Sequence, residues 1–100
     1  MEKLVAYKRM PVWNKDTMPE AVQRKHNTKV GTWGKITVLK GTLKFIELTE
    51  DGEVLAEHFF EAGADNPMAQ PQAWHRVEAA TEDVEWYLEF YCKAEDYFPK

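Results

Sequence analysis

The sequence predicts a small all-β fold, a sandwich or jelly roll, and three observations favour this class. Residues 84–93 alternate strictly between the two faces of an extended chain, which is typical of a half-buried strand. Turn-forming residues separate short apolar runs along most of the remaining sequence, as in all-β domains. The chain has 100 residues, which is the length of one compact domain. We therefore expect a single domain spanning residues 1–100, with seven or eight strands.

The first quarter of the chain gives the weakest pattern. Residues 4–7 are predicted to form an edge strand. Pro11 and Pro19 bracket an irregular loop, because proline cannot donate a hydrogen bond to a strand ladder. Residues 21–26 are interpreted as a short polar strand.

The middle of the chain predicts two hairpins. Residues 35–40 alternate, and the sequence turns at Lys40-Gly41 into the next alternating run. Asp51-Gly52 is a strong two-residue turn signal that joins residues 45–49 to residues 54–60. A loop containing Pro67 and Pro71 leads to a short strand at residues 75–79. After the last strand, residues 94–98 are predicted to make one helical turn.

The charge, the apolar runs and the cysteine count limit the kinds of binding partner and the compartment to be expected. The formal net charge is −4, and the thirteen Lys and Arg residues are scattered without a basic stripe. Since nucleic-acid binding depends on neutralising phosphates, the sequence indicates no nucleic-acid partner. It has no apolar run of membrane-spanning length and no signal peptide at its start. A single cysteine fits a reducing compartment, so we expect a cytoplasmic protein without membrane association.

The histidines are the candidate metal ligands. His26 and His75 each lie at the edge of a predicted strand, beside a loop, where side chains can point into the mouth of a barrel. Imidazole is a common ligand of divalent transition metals, and these two residues are the main candidates for such a site. The alternative is structural, with His75 hydrogen-bonded to backbone at the edge of the core and His26 solvated.

Weaker candidates could complete a metal site. They are His58, Gln70 and Glu78. Strand alternation places Glu78 on the face opposite His75, where Arg76 or a residue of a neighbouring strand is its expected partner.

Two tryptophans and the absence of catalytic motifs complete the site prediction. Trp33 and Trp74 are predicted to wall a pocket, although aromatic residues also plug the ends of β-barrels. Nothing in the sequence resembles a serine triad, a phosphate-binding glycine loop or a paired-carboxylate site. We therefore assign no catalytic residue.

Three segments carry a resemblance to a known family: Pro11-Val12-Trp13, HNTKVGTWGKITVLKG (residues 26–41) and PQAWHRV (residues 71–77). They closely resemble the TehB/YeaR-like family, small domains of the cupin superfamily that in some tellurite-resistance proteins precede a methyltransferase. The resemblance covers nearly the whole chain and implies a cupin-type jelly roll. Gly41 matches the glycine that closes the first cupin motif, and Pro71 and His75 match the second motif. The first motif departs from the family pattern, since it has only His26 and no glutamate between His26 and Gly41.

The resemblance implies a binding module in tellurite or related oxyanion stress. The cup would hold a small molecule, an oxyanion or a divalent transition metal at His26 and His75. We expect no methyltransferase domain within this chain, and a separate methyltransferase is a possible partner. Two alternatives remain open: a non-catalytic interaction module that forms a homodimer, and a small metal-dependent enzyme. The incomplete first motif favours a protein without enzymatic activity.

Overall fold

The computed structural model describes residues 3–97. Within that range the chain forms seven strands, one short helix and a closing 3₁₀ turn (Ala94–Asp96). The strands and the helix, in chain order, are β1 (Leu4–Arg9), β2 (Trp13–Asn14), α1 (Glu20–Gln23), β3 (Trp33–Lys40), β4 (Thr42–Leu48), β5 (Val54–Glu61), β6 (Trp74–Ala79) and β7 (Glu85–Lys93).

The first sheet is built around β7. This strand pairs antiparallel with β1 and β2 along one side and with β3 along the other. The alternation predicted for residues 84–93 is seen at its start, where Val84 and Trp86 are almost fully buried while Glu85 between them is exposed. The predicted edge strand is confirmed as β1, which extends two residues further than expected.

The second sheet has three strands, with β4 paired antiparallel to β5 on one side and to β6 on the other. The predicted hairpin at Asp51-Gly52 is confirmed. Gly52 has a φ of +91°, and the Thr49 backbone N–H donates to the Glu53 carbonyl at 2.8 Å. Glycine adopts this left-handed conformation readily because it lacks a Cβ.

The inward faces of the two sheets form one hydrophobic core. Its most deeply buried side chains include Leu43 of β4, Val77 of β6 and Trp86 of β7. Each fully buried side chain of this kind contributes about 1.5–3 kcal/mol through removal of apolar surface from water. The architecture is therefore the all-β, jelly-roll-like sandwich that the sequence predicts.

The predicted hairpin at Lys40-Gly41 is wrong. Strand β3 pairs with β7, whereas β4 pairs with β5 and β6, so the chain passes from one sheet to the other at Gly41. Gly41 has a φ of +71°, and a Cβ there would collide with the side chains of Thr81 and Asp83. The glycine is needed for a tight corner between sheets, a requirement that the local sequence does not distinguish from a hairpin turn.

The predicted strand at residues 21–26 is also wrong in its first part. Residues Glu20–Gln23 form the one-turn helix α1, and the Val22 backbone N–H donates to the Pro19 carbonyl at 3.2 Å. Pro19 has a φ of −60°, a value that suits entry into a helix. Arg24 ends the helix in an extended conformation, and His26 follows two residues later in an isolated β-bridge.

The loop between β5 and β6 closes one side of the sandwich. Its residue Ala69 exchanges two backbone hydrogen bonds with Gly34 of β3, at 3.0 and 2.7 Å. The loop that precedes β6 in the second sheet is thereby tied to the first sheet. Across the described residues, no helix combines the length and apolar character needed to span a membrane.

Candidate ligand site around His26 and His75

His26 and His75 are far apart in the sequence and lie side by side in the fold. The backbone N–H of His26 donates to the carbonyl of His75 at 3.0 Å, and the reverse bond measures 2.9 Å. This antiparallel bridge extends the second sheet by one residue beyond β6. The two imidazole centroids are 4.3 Å apart, with the ring planes at 78°. The structure thus brings together the two residues that the sequence singled out.

Residues on either side of His26 in the sequence hold its segment in place. The Lys25 ammonium lies 4.5 Å from the centroid of the Trp74 ring and donates to the Glu50 carbonyl. Two positions after His26, the Thr28 carbonyl accepts a backbone hydrogen bond from Gln72 at 3.0 Å. The first histidine is therefore held against β6 by contacts on both sides of it in the sequence.

Each imidazole donates one hydrogen bond to the backbone. Nδ1 of His26 lies 2.9 Å from the carbonyl oxygen of Arg24, and Nδ1 of His75 lies 3.0 Å from that of Ala73. A carbonyl oxygen only accepts, so Nδ1 carries the hydrogen in both rings. In the neutral rings, Nε2 then keeps its lone pair. A hydrogen bond from the far nitrogen to a carbonyl is also how metal-binding histidines are usually oriented.

The surroundings keep both rings neutral. Burial, followed by the effect of the neighbouring His26, lowers the pKa of His75 from 6.5 to about 4, against the opposing effects of the Ala73 carbonyl and Glu47. Burial also lowers the pKa of His26 from its usual 6.5. The Phe45 ring stacks on His75 at a centroid distance of 5.0 Å, which helps to exclude water from the second imidazole.

A carboxylate lies next to this pair. Glu47 of β4 is the direct cross-strand partner of His75 in the β4–β6 ladder. Its Oε2 lies 2.5 Å from Nε2 of His58, which projects from β5. Across the second sheet, His26, His75 and Glu47 are therefore successive neighbours, and His58, whose register partner is Phe45, reaches Glu47 diagonally.

Two cavities meet at His75. The mouth cavity, of about 280 Å³, is open to solvent and is lined by Glu47, His58, Met68 and Trp74 among other residues. The inner cavity, of about 110 Å³, lies between the sheets and is mostly apolar, with His26 and Trp86 in its wall. His75 lines both cavities, whereas His26 lines only the inner one, so a ligand in the mouth cavity meets His75 first.

The predicted pocket residues lie at the rim of the mouth cavity. Trp74 and Gln70 contribute directly to its lining. Trp33 lies beside it, with its indole N–H donating to Oε1 of Gln70 at 3.3 Å. The two tryptophans and the glutamine therefore form part of the wall or its support.

The structure places Glu78 away from the pair. Its register partner is Lys44, and its carboxylate forms an ion pair with Arg76 on the outward face of β6. This is the arrangement expected from strand alternation. Among residues 3–97, no three His, Cys, Asp or Glu side chains stand together as a preassembled metal cluster.

Glu47 is the residue that sequence reasoning missed. Its place beside His75 depends on the register between β4 and β6, whose segments are separated by the β5 hairpin and a long loop. The alternation of β4 offers one signal, because Leu43, Phe45 and Glu47 share a face. A charged residue that continues an apolar face is a candidate for a site.

Together, the fold and the site define a class: a small β-sandwich domain with a paired-histidine cup between its sheets. The particular family follows from a match over residues 8–88 to the model of the TehB-like domain. The chain belongs to the TehB-like domain family.

Two curated relatives and two solved structures are similar to this chain. TehB of Haemophilus influenzae, named as a probable S-adenosyl-L-methionine-dependent methyltransferase, is 63% identical over 98% of this chain. The TehB crystal structure superposes with a TM-score of 0.91 over 95% of this chain and 33% of that chain. YeaR of Escherichia coli, an uncharacterized protein, is 27% identical over 85% of this chain and 75% of its own. An E. coli K12 crystal structure at 24% identity shows the same fold, with a TM-score of 0.80 and 93% of that chain covered.

The chain spans about a third of the length of the TehB relatives that it matches. What those longer proteins do as a whole is therefore not assigned to this domain by the match alone. The E. coli structure, in contrast, consists almost entirely of this fold.

Proposed function

We propose that this domain is a binding module whose His26–His75 pair holds a divalent transition metal and presents it to small molecules entering the mouth cavity. The observation that supports this most strongly is the hydrogen-bonding pattern that the two rings share. Both Nδ1–H groups are bound to backbone carbonyls, so both Nε2 lone pairs are left for a ligand.

The donor chemistry fits a metal better than a free oxyanion. An imidazole must be neutral to coordinate a metal, and the lowered pKa values of both histidines favour that form near neutral pH. A free oxyanion would instead need a cationic imidazole, and it would also meet the negative charge of Glu47. We therefore propose that an oxyanion would bind through the metal in the loaded site and not directly to the imidazoles.

Two imidazoles alone make an incomplete ligand set, since protein zinc sites usually take three or four protein ligands. Water or a further side chain would fill the remaining positions. This leaves room for an exogenous small molecule, as a binding module requires. Zinc, nickel, cobalt and copper all accept imidazole ligands, so the proposal covers this group of metals.

The biological setting proposed for this module is tellurite or related oxyanion stress in the cytoplasm. The support is membership of the TehB-like family and the high identity to H. influenzae TehB. Because that relative is named as a probable methyltransferase, we further propose a separate methyltransferase as a partner of this domain.

Elemental analysis of untagged protein tests the metal assignment. Wild-type protein is expected to contain close to one equivalent of a transition metal after exposure to zinc, nickel or cobalt and desalting. His26→Ala and His75→Ala should each lose it, while His58→Ala, the matched histidine control, should keep it. Absence of metal from folded wild-type protein under all three conditions would contradict the proposal.

A second candidate function is self-association. Leu55 and Phe59 are 66% and 61% exposed on the outward face of β5, which is an edge strand of the second sheet. Exposed apolar residues on an edge strand favour pairing with another chain. A homodimer formed through β5 is compatible with the metal site, which lies on the opposite face of that sheet.

A further inference from the structure

The ladder between β4 and β6 places a carboxylate beside the histidine pair. His75 has His26 as its bridge partner on one side and Glu47 as its ladder partner on the other. Directly opposed residues in antiparallel strands have Cβ atoms about 4.5–5.5 Å apart and project to the same face. Three side chains with metal-ligand chemistry are therefore consecutive neighbours across the second sheet.

In the structure, another residue holds this carboxylate. Oε2 of Glu47 is 2.5 Å from Nε2 of His58, and both side chains are roughly half exposed, at 47% and 43%. Ion pairs with this degree of exposure contribute little, because water competes with them. The Glu47–His58 contact can therefore be exchanged for a stronger one at small cost.

We propose that Glu47 is the third protein ligand of the His26–His75 site, and that it takes this role by releasing His58. This inference rests on the proposed metal-binding function and extends it. The resulting donor set is two neutral imidazoles and one carboxylate, which suits divalent zinc, iron, cobalt or nickel and leaves positions open for water or a small molecule.

The proposal explains why the described residues contain no preassembled cluster of three ligands. The histidine pair is fixed by backbone contacts, whereas Glu47 is a flexible side chain with an alternative partner. It also assigns His58 a defined function as the group that holds the carboxylate before the metal arrives. His58 is then a competitor of the metal for Glu47 and not a ligand.

Zinc titration by calorimetry at neutral pH tests these roles. Glu47→Gln should weaken Zn²⁺ binding by about tenfold or more, since the substitution replaces an anionic oxygen ligand by an amide. Glu57→Gln is the matched control. Glu57 lies opposite Ile46, the residue that precedes Glu47 in the sequence. Its side chain is exposed and forms an ion pair with Lys44. The Glu57→Gln variant should bind Zn²⁺ with the affinity of the wild-type protein.

The His58→Ala variant gives the most decisive result, because the proposal predicts in which direction the Zn²⁺ affinity changes. Removing the competitor should tighten Zn²⁺ binding by a few-fold. Weakening of binding by His58→Ala to the extent seen in Glu47→Gln would overturn the proposal and make His58 a ligand. Nitrogen-15 NMR of the imidazoles adds an independent readout: Zn²⁺ should shift the Nε2 resonances of His26 and His75 as bound nitrogens and break the His58 contact.

Two further outcomes separate this inference from the proposed function. If Glu47→Gln binds Zn²⁺ as tightly as wild type while His75→Ala does not bind, the role of Glu47 is refuted and the histidine site stands. If folded wild-type protein does not bind Zn²⁺ at all, both proposals fail. Glu47→Asp, which keeps the charge but shortens the side chain, should also bind more weakly and serves as a second variant if Glu47→Gln is unstable.

Discussion

His26 and His75 exchange both of their backbone hydrogen bonds and stand with their rings 4.3 Å apart, each ring tied through Nδ1 to the carbonyl two residues before it. The same local device thus fixes both imidazoles, and neither orientation depends on an exposed side chain. A pair held in this way is prepared for a ligand before the ligand arrives, which reduces the ordering that binding requires.

The stability of the metal-free protein should fall as the pH drops from about 6.5 towards 4. His75 has a pKa of about 4 in the folded protein against 6.5 in the unfolded chain, so the unfolded state binds the proton first. The full difference corresponds to roughly 3 kcal/mol in the free energy of unfolding, reached below the folded-state pKa. His26 acts in the same direction.

Urea denaturation followed by tryptophan fluorescence at several pH values measures this effect. Because carboxylates also titrate near pH 4, the informative quantity is the difference between wild type and His75→Asn. The variant should lose part of the pH dependence between pH 6.5 and 4.5. Identical slopes for the two proteins would mean that His75 is not neutralised by burial.

Gly41→Ala should destabilise the fold more than Gly63→Ala. Both glycines have positive φ, +71° and +78°, so both substitutions carry a conformational cost of about 1–2 kcal/mol. Only at Gly41 would the new Cβ also collide with Thr81 and Asp83, whereas nothing lies within 4 Å of a Cβ at Gly63. We expect this collision to add about 1–3 kcal/mol.

The difference in free energy of unfolding between the two variants isolates the steric requirement of the corner between the sheets. Equal losses would show that only the backbone conformation matters at Gly41. That result would contradict the close approach of the Thr81–Asp83 turn to this corner.

Lys25→Met should weaken metal binding by a few-fold without removing any ligand. Lys25 contacts the Trp74 ring and the Glu50 carbonyl, and exposed cation–π contacts contribute about 0.5–1 kcal/mol. Loss of this anchor should lower the free energy of unfolding by about that amount and loosen the segment that carries His26. Lys40→Met, at an exposed position outside this anchor, is the control for lost charge. Equal metal affinities in both variants would show that Lys25 does not position the site.

Phe59→Lys should abolish self-association if the domain dimerises through β5. The substitution places a charge on the exposed apolar face of an edge strand. Val30→Lys is the control, because Val30 is 75% exposed at a site remote from β5 in the chain. Light scattering coupled to size-exclusion chromatography gives the mass of each variant. A wild-type monomer at high concentration would exclude this mode of assembly.

The last strand and the Asp51-Gly52 hairpin were predictable because their patterns are local. Alternation along β7 records which face is buried, and Gly52 adopts the conformation that its turn requires. The corner at Gly41 was not predictable in the same way, since a turn glycine marks a change of direction without specifying which strands pair on either side. The helix α1 was missed because one turn is too short to establish a helical period.

The candidate site also has one part that local sequence features predict and one part that depends on long-range pairing. Positions at strand edges, together with the family resemblance, singled out His26 and His75, and the structure brings them into contact. The place of Glu47 beside them depends on the register between two strands that are distant in the sequence. No local pattern specifies such a register, so the carboxylate neighbour of His75 could be found only from the assembled sheet.

X-ray absorption at the zinc edge of Zn²⁺-loaded protein tests the central claim most directly, because scattering from imidazole rings is recognisable and can be counted. We predict two imidazole ligands in wild type and in His58→Ala, and one in His75→Ala under conditions that force loading. A wild-type spectrum without imidazole scattering, or one that is unchanged by His75→Ala, would contradict the account.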